Sequence, residues 1–370
     1  MDDPWNTPPP ARLPLDDPDF RLAWPRDLFV AELDVVIGHY QAQGTAAALL
    51  LEEAFAGSSP ADRARLSAGN VSDLVRELRR RAPELRENDT RRTPYFLLRT
   101  QGPTSAGTPD WDNAKRRFRS TIKSLDERGY FDRAWGPDCV DDARNWREPV
   151  DDIEAELGVP DVDPFGSAYV AWDQELFLSV VEVLHDRAAR PRVITRLHDF
   201  ADCGRHYGDY SPAPGQAVYR FQVNRVLEQA HLPFRLSGTG EDYGRVVAHH
   251  DDATEDLMAE AVATAQSAER DELAHAIATF RARNADRDAK RSAVLTLARI
   301  LEQHRSLLKR ELMSADENAL FQIANRFDIR HRNDRQLDDY DVAFLDWVFW
   351  TYLASVRLLR HLLSRTSPGS

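Results

Sequence analysis

The feature that most constrains the fold is a series of helical patterns that runs from residue 256 to the C terminus. Apolar residues recur there at helical spacing, and the connections between the patterned segments are short. Asp286 or Asp288 can cap one of these helices, and Asp316 can cap the next. Four or five antiparallel helices with short connections form a bundle. The sequence therefore predicts a C-terminal helical bundle over residues 256–370.

The chain upstream of the bundle is also mostly helical in pattern, and it divides into three regions. Residues 1–25 are rich in Pro and Asp, so we expect an extended arm, either partly disordered or laid on a domain surface. Residues 26–190 show helical spacing and predict a helical N-terminal domain of unknown type. Residues 191–255 predict a small α+β element, because they contain the chain's only convincing hairpin, "PFRLSG" followed by "YGRVVA". The predicted fold class is mainly α.

Two stretches of the N-terminal region carry more specific predictions. The acidic stretch 145–165 contains three prolines and is expected to be a linker or surface loop. The stretch 168–189 is expected to be a helix with an inner apolar stripe. The predicted stripe consists of Val170, Phe177, Val181 and Leu184.

A basic amphipathic helix is predicted to precede Gly129, which would end it. Its "KRRFR" segment, residues 115–119, could contact phosphates, as the second helix of a winged DNA-binding unit does. The other interpretation is a solvated helix face, and we favour it because no base-reading residues are visible.

Composition and charge exclude several classes of protein. The formal net charge is −13, so the whole chain lacks the basic field on which non-specific nucleic-acid binding depends. Two cysteines, Cys139 and Cys203, are too few for a disulfide framework. The most apolar stretch, 342–359, is interrupted by Asp346 and Arg357, which predicts no membrane span. We therefore expect a cytoplasmic protein.

The stretch "RFDIRHRND", residues 326–334, stands directly before the last predicted helix. The surrounding segment 320–363 resembles the terminal helices of HEPN-superfamily proteins, which are small helical bundles found in bacterial toxins, abortive-infection proteins and CRISPR-associated ribonucleases. More closely, "IANRFDIRHRN" together with the upstream "FQVNRVLEQAHLPFRL" resembles an uncharacterised bacterial family with a HEPN-like end that is related to abortive-infection proteins. This closer resemblance covers residues 195–363.

The resemblance implies an Arg/His site for RNA cleavage. The superfamily signature is an Arg, four to six residues and a His, and Arg326 and His331 satisfy it. In family members that cut RNA, the two groups line a cleft at a dimer interface and act without a metal. A histidine can move protons while an arginine holds the charge that develops on the phosphorus. The resemblance thus implies a phage-defence or toxin-like endoribonuclease that dimerises through its bundle and needs no metal or cofactor.

The sequence departs from the family pattern at two points, which leaves the choice of arginine open. Phe327 replaces the usual polar residue, and the five-residue offset would place Arg326 and His331 about 140° apart on one helix. An alternative site uses Arg330, His331 and Asn333. In either version His331 is the general acid/base, an arginine holds the phosphate, and Asn333 orients the histidine and arginine side chains. Residues 26–190 would then sense a trigger or bind a protein partner.

A structural interpretation of the same stretch remains open. Asp328 and Arg332 can pair across one helical turn, and His331 can bind the free carbonyl groups at a helix end. The acidic run 338–341 and Asp346 are expected to form an ion-pair network with the neighbouring arginines. The bundle would then serve only for dimerisation and partner binding.

The last predicted helix carries an aromatic stripe of Phe344, Trp347, Phe349, Trp350 and Tyr352. Aromatic residues at helical spacing usually form core, so most of the stripe is expected inside the bundle. Because it covers more than one face, part of it is expected in a subunit interface.

His198, Cys203 and His206 have the near-ligand spacing of a metal site. A zinc site needs four ligands, however, and no fourth ligand is evident in the sequence. A metal hydrolase at these residues is therefore a third, weaker hypothesis, and we expect Cys203 to be a small buried apolar residue.

Overall fold

The computed structural model describes ten segments of the chain: 13–39, 44–66, 71–87, 108–137, 139, 148–198, 204–249, 252–282, 285–326 and 341–366. These segments are mainly helical and contain two small antiparallel sheets of two strands each. The prediction of a mainly α fold is confirmed. The chain divides into two compact units, Met1–Leu232 and Pro233–Ser370.

The first unit contains nine helices and one hairpin within its described segments. The helices are α1 (Arg26–His39), α2 (Gly44–Ala54), α3 (Ser59–Leu66), α4 (Val71–Arg80), α5 (Trp111–Asp126), α6 (Asp132–Trp135), α7 (Pro149–Leu157), α8 (Gln174–Arg187) and α9 (Pro212–Gln229). The strands are β1 (Arg190–His198) and β2 (Gly204–Ser211). Short 3-10 helices cover Pro18–Phe20, Ala82–Glu84 and Ala168–Ala171.

The described part of the N-terminal arm packs into this unit. Phe20, Leu22 and Trp24 are almost completely buried. Leu22 forms single β-bridges to Phe55 and Glu87, so the arm is held by backbone hydrogen bonds as well as by its apolar side chains. Burial of these side chains stabilises the arm by about 1.5–3 kcal/mol each.

The hairpin of β1 and β2 corrects the expectation that "PFRLSG" and "YGRVVA" form the chain's only hairpin. The strands pair from Arg190↔Ser211 to His198↔Gly204, with an irregularity between Ile194 and Arg196. Apolar alternation is the sequence signal for a half-buried strand. Most positions of this pair are polar or partly exposed, so that signal is weak here.

A buried ion-pair cluster holds the start of β1. The Arg190 side chain is 1% exposed; its Nη1 donates to Glu32 of α1 at 2.8 Å, and its Nε donates to Glu53 of α2 at 3.0 Å. Tyr130 also donates to Glu53, at 3.0 Å. The guanidinium lies 5.3 Å from the centre of the Trp24 ring. This cluster connects two helices to the hairpin.

One local prediction for this unit is wrong. Within 145–165 the chain forms α7 rather than a continuous loop, because Pro149 stands in its first turn and Gly158 ends it in the left-handed conformation. Ile153 and Asp152 of α7 are buried, and Asp152 pairs with Arg187 at 2.6 Å.

The predicted inner stripe of 168–189 is correct at three of its four positions. Phe177, Val181 and Leu184 are fully buried in α8. Val170 is 63% exposed, because it belongs to the 3-10 helix before α8.

The second unit contains six helices and the predicted hairpin within its described segments. The helices are α10 (Asp252–Ala263), α11 (Ser267–Arg281), α12 (Arg287–Gln303), α13 (Arg305–Glu311), α14 (Ser314–Arg326) and α15 (Val342–Thr366). The strands β3 (Phe234–Leu236) and β4 (Val246–Ala248) are antiparallel, which confirms the predicted "PFRLSG" and "YGRVVA" pair. Asp286 caps α12 by accepting from Ala289 N at 2.8 Å, also as predicted. Asp316 lies inside the first turn of α14 rather than at its cap, since the helix begins at Ser314.

One apolar core joins the helices of the second unit. Phe280 of α11 stacks on Phe349 of α15 with ring centres 3.7 Å apart. Tyr352 is also buried, and it donates to the carbonyl oxygen of Leu320 in α14 at 2.9 Å. Helix α15 therefore contributes its inner face to the core of a helical bundle.

Helix α15 is long and apolar enough to cross a membrane by length and composition alone. Its most apolar window has a mean hydropathy of 1.4 and is 39% buried within the structure. Core helices of soluble proteins meet the same criteria, and Leu345, Val348 and Leu353 of α15 are completely buried.

Candidate functional site

The predicted Arg/His site lies between the last two helices of the second unit. Helix α14 ends at Arg326 and α15 begins at Val342. Arg330, His331 and Asn333 lie outside the described residues, and Arg326 is described only by its backbone. The structure therefore places only Arg326, at the end of α14, while the convergence of the four side chains stays a prediction.

Two acidic residues beside this stretch, Asp341 and Asp346, have described contacts, while residues 338–340 of the predicted ion-pair network lie outside the described residues. Asp346 of α15 pairs with Lys290 of α12 at 2.7 Å. Asp341 accepts a hydrogen bond from Ala343 N at 2.9 Å and thereby caps the start of α15. Both contacts fix α15 in the bundle.

The aromatic stripe of α15 divides between core and surface. Phe349 and Tyr352 are buried, as predicted for most of the stripe. Phe344 and Trp347 are 45% and 50% exposed, and Leu358 is 40% exposed further along the helix. Trp347 and Leu358 are eleven residues apart, three helical turns, so they lie on the same outer face.

A second group of chemically active side chains occurs in the first unit. Cys139, His198 and His206 each offer one possible metal-ligand atom, and these three atoms all lie within 4.8 Å of one another. The Sγ of Cys139 is 3.5 Å from Nδ1 of His198. The two imidazole rings have centres 5.8 Å apart.

The register of the hairpin explains why the two histidines converge. His206 is paired with Arg196, and His198 is two residues further along the same strand as Arg196. Side chains two residues apart on a strand share a face, and so do directly paired residues. His198 and His206 are therefore diagonal neighbours on one face of the hairpin.

Cys139 reaches this face from a different part of the chain. It follows α6, which ends at Trp135, and Gly136 then turns the backbone with a φ of 81°. Cys139 and His206 are 8% and 5% exposed, and His198 is partly exposed. The sequence predicted His198 and His206 together but did not suggest Cys139, which is 59 residues from His198. Cys203 lies outside the described residues.

A cavity of about 470 Å³ in the same unit has several charged residues in its wall. Three of them are arginines: Arg117 lies in α5, Arg128 follows α5, and Arg225 lies in α9. Two others are the carboxylates Glu52 and Glu53 of α2. Arg225 has a buried Nε with no hydrogen-bond partner among the described residues. Guanidinium groups suit planar anions such as carboxylate and phosphate.

The basic helix α5 uses part of its charge inside the unit. Lys115 is buried and donates to the carbonyl oxygen of Trp172. Arg119 donates to the carbonyl oxygens of Phe165 and Gly166. Arg116 is exposed, but Lys115 and Arg119 are bound to backbone groups and cannot contact phosphates in this arrangement. The "KRRFR" segment is thus largely a structural element.

The described residues define a mainly helical protein with a helical bundle as its second unit and a Cys/His group in its first. Comparisons with protein-family models, with curated proteins and with solved structures found no match for the chain.

Proposed function

We propose that this is a bacterial phage-defence or toxin-like protein that acts in the cytoplasm and cleaves RNA through its C-terminal bundle without a metal. The observation that carries the proposal is the position of "RFDIRHRND" in the chain: it begins at the last residue of α14 and precedes α15, and both helices belong to one packed bundle. The HEPN-like resemblance of this segment supports the same function, and residues 26–190 would detect a trigger or bind a protein partner.

The proposed reaction is transfer of a phosphoryl group within the RNA chain. His331 takes the proton of a ribose 2′-OH as that oxygen bonds to the adjacent phosphorus, and the bond from phosphorus to the 5′ oxygen breaks. His331 then returns the proton to the leaving 5′ oxygen. Arg326 or Arg330 holds the charge that develops on the phosphoryl oxygens, and Asn333 orients the two groups. A side chain that titrates near neutral pH suits both proton transfers.

The structure favours dimerisation through α15 as part of this function. Its outer face exposes Trp347 and Leu358 although neighbouring positions form core. A second copy of the chain could cover these side chains, and in the resembling family the site lies at a dimer interface. The same face supports the alternative function, a bundle that dimerises and binds partners without catalysis.

Cleavage of total bacterial RNA and of tRNA in EDTA tests the catalytic proposal. The purified wild type should cleave, and His331→Ala should abolish cleavage while it leaves the helical circular dichroism unchanged. His361→Ala is the matched control, because His361 is an exposed histidine on α15 of the same bundle. Equal cleavage by wild type and His331→Ala would contradict the proposal.

Oligomeric state separates the alternative from the catalytic function. Trp347→Lys should convert a dimer to a monomer, measured by light scattering after size exclusion. Met313→Lys is the control, because Met313 is 78% exposed but lies outside α15. A dimer that depends on Trp347 in a protein that cleaves no RNA would favour the non-catalytic bundle.

A further inference from the structure

We infer that Cys139, His198 and His206 form a zinc site in the first unit, separate from the proposed RNA-cleaving stretch. The inference rests on geometry: a thiol and two imidazoles from separate parts of the chain bring their ligand atoms within 4.8 Å of one another. The proposal does not depend on RNA cleavage, which is expected to proceed in EDTA.

The distances fit tetrahedral zinc. With a Zn–S bond of about 2.3 Å and Zn–N bonds of about 2.0–2.1 Å, a tetrahedron has an S···N edge of about 3.6 Å and an N···N edge of about 3.4 Å. The distance from Cys139 Sγ to His198 Nδ1 is 3.5 Å. The other two separations between ligand atoms are at most 4.8 Å, so these groups have to approach by up to about 1.4 Å to bind one ion.

A thiol–imidazole hydrogen bond explains only part of this arrangement. Such a bond accounts for the contact of Cys139 with His198, but it does not require the third group. His206 comes from the other strand, is 5% exposed, and has a ligand atom within 4.8 Å of the other two. Arg196 has a nitrogen 3.5 Å from Nε2 of His206; because a guanidinium can only donate, this contact has to be released if that ring nitrogen binds the ion.

The set of donor atoms selects the metal. One thiolate and two imidazoles suit zinc and other borderline or soft ions, whereas magnesium and calcium prefer oxygen ligands. Binding converts the Cys139 thiol to a thiolate that bonds to the metal, and the displaced proton is released to solvent. Three protein ligands leave one tetrahedral position for a water molecule or a further ligand.

The expected consequence of binding is mechanical. An ion held by these groups would connect the segment after α6 to both strands of the β1–β2 hairpin. The ion would add to the hydrogen bond from the Tyr210 hydroxyl to Asp132, 3.2 Å, which already joins β2 to α6. Loss of the ion should therefore destabilise the first unit, since a bound structural zinc contributes directly to folding free energy.

Zinc content of the full-length protein is the direct test. Wild type loaded with zinc and then dialysed should retain about one equivalent per chain by elemental analysis. Cys139→Ser and His206→Ala should each lose it. His39→Ala is the control for the loss of a histidine, because His39 is exposed at the end of α1, and it should keep the metal. Retention of a full equivalent by Cys139→Ser would overturn the proposal.

Cobalt substitution identifies the ligand atoms. A Co²⁺-loaded wild type should show a charge-transfer absorption from a bound thiolate, and Cys139→Ser should remove that absorption. Cys203→Ser is the cysteine control. Absorption that disappears in Cys203→Ser but survives in Cys139→Ser would overturn the assignment of Cys139.

A measurement on wild type alone guards against variants that fail to fold. Chelator-treated protein should release protons and gain thermal stability when zinc is added back, and magnesium should do neither. Two outcomes contradict the site: no shift of the melting temperature with zinc, or a disulfide between Cys139 and Cys203 in non-reducing denaturant.

Discussion

Replacement of Arg190 by methionine should strongly destabilise the first unit. The Arg190 side chain is 1% exposed and, among the described residues, supplies the only positive charge in ion-pair contact with Glu53. Its removal leaves Glu53, itself almost fully buried, with the Tyr130 hydroxyl as its remaining donor. Breaking a buried pair in this way costs about 3–5 kcal/mol. In a unit of this size, each kcal/mol lost from the free energy of unfolding lowers the melting temperature by about 2–4 °C, so the melting temperature should fall by roughly 6–20 °C.

The loss should also depend on pH. Burial raises the pKa of Glu53, and Arg190 partly offsets that rise. Without Arg190, the pKa of Glu53 rises further. A carboxyl group whose folded pKa lies above its unfolded value favours the folded state when protonated, and this advantage is lost as pH rises through the folded pKa. The stability difference between wild type and Arg190→Met should therefore be larger at about pH 8 than at about pH 5.

Thermal unfolding followed by circular dichroism measures both effects. Arg192→Met is the matched control: Arg192 is 18% exposed and contacts only Glu32, which retains Arg190. It should cost less than Arg190→Met. Adding Glu53→Gln to Arg190→Met should recover stability, because it removes the unpaired buried charge. Equal losses in the two arginine variants, or a loss that does not change with pH, would refute the reasoning.

Three further predictions concern other buried contacts. Burial raises the pKa of Asp132 to about 6, so the stability of the wild type should fall as pH rises toward and through that value. Asp132→Asn should therefore be more stable than wild type above about pH 6 and should lose this advantage near about pH 4. Melting temperatures measured across this pH range test both expectations. Gly215→Ala should lower the free energy of unfolding in urea by at least about 1–3 kcal/mol, because a Cβ there would lie 2.3–2.6 Å from backbone atoms of Ala189 and Arg190. Gly38→Ala is the control: a Cβ at Gly38 would meet no other atom, so this variant should stabilise α1 by up to about 1 kcal/mol. Tyr352→Phe should cost about 1 kcal/mol or more in urea unfolding, since it leaves the buried carbonyl of Leu320 without its hydroxyl donor, and an unchanged free energy of unfolding would show that water replaces that donor.

Long amphipathic helices were predictable from the sequence because their signal is local. Apolar spacing and the Asp286 cap identified the bundle helices, and the same reasoning found the β3–β4 hairpin. Helix α7 was missed because its sequence is dominated by acidic residues and proline. Ile153 is its one buried apolar residue, which is too few to produce a helical apolar pattern. The β1–β2 hairpin was missed because polar strands that pair with each other carry little apolar alternation.

The two candidate sites differ in how far the sequence could predict them. His198 and His206 were recognised because they lie close together in the chain. Cys139 was not, because sequence spacing carries no information about a ligand that tertiary structure brings from another element. The Arg326–His331 site depends on local sequence and on resemblance, and it stays a prediction that the RNA-cleavage experiment tests.

The Arg190 cluster also constrains the order in which the chain can fold. Glu32 and Arg190 are separated by 158 residues, so their ion pair is a contact of high sequence separation. At translation rates of about 5–20 residues per second, Glu32 is synthesised roughly 8–30 s before Arg190. During that interval α1 and α2 carry carboxylates that cannot be buried at low cost. The first unit should therefore complete its core only after β1 has been synthesised, and a nascent chain that stops before Arg190 should remain open to proteases and chaperones.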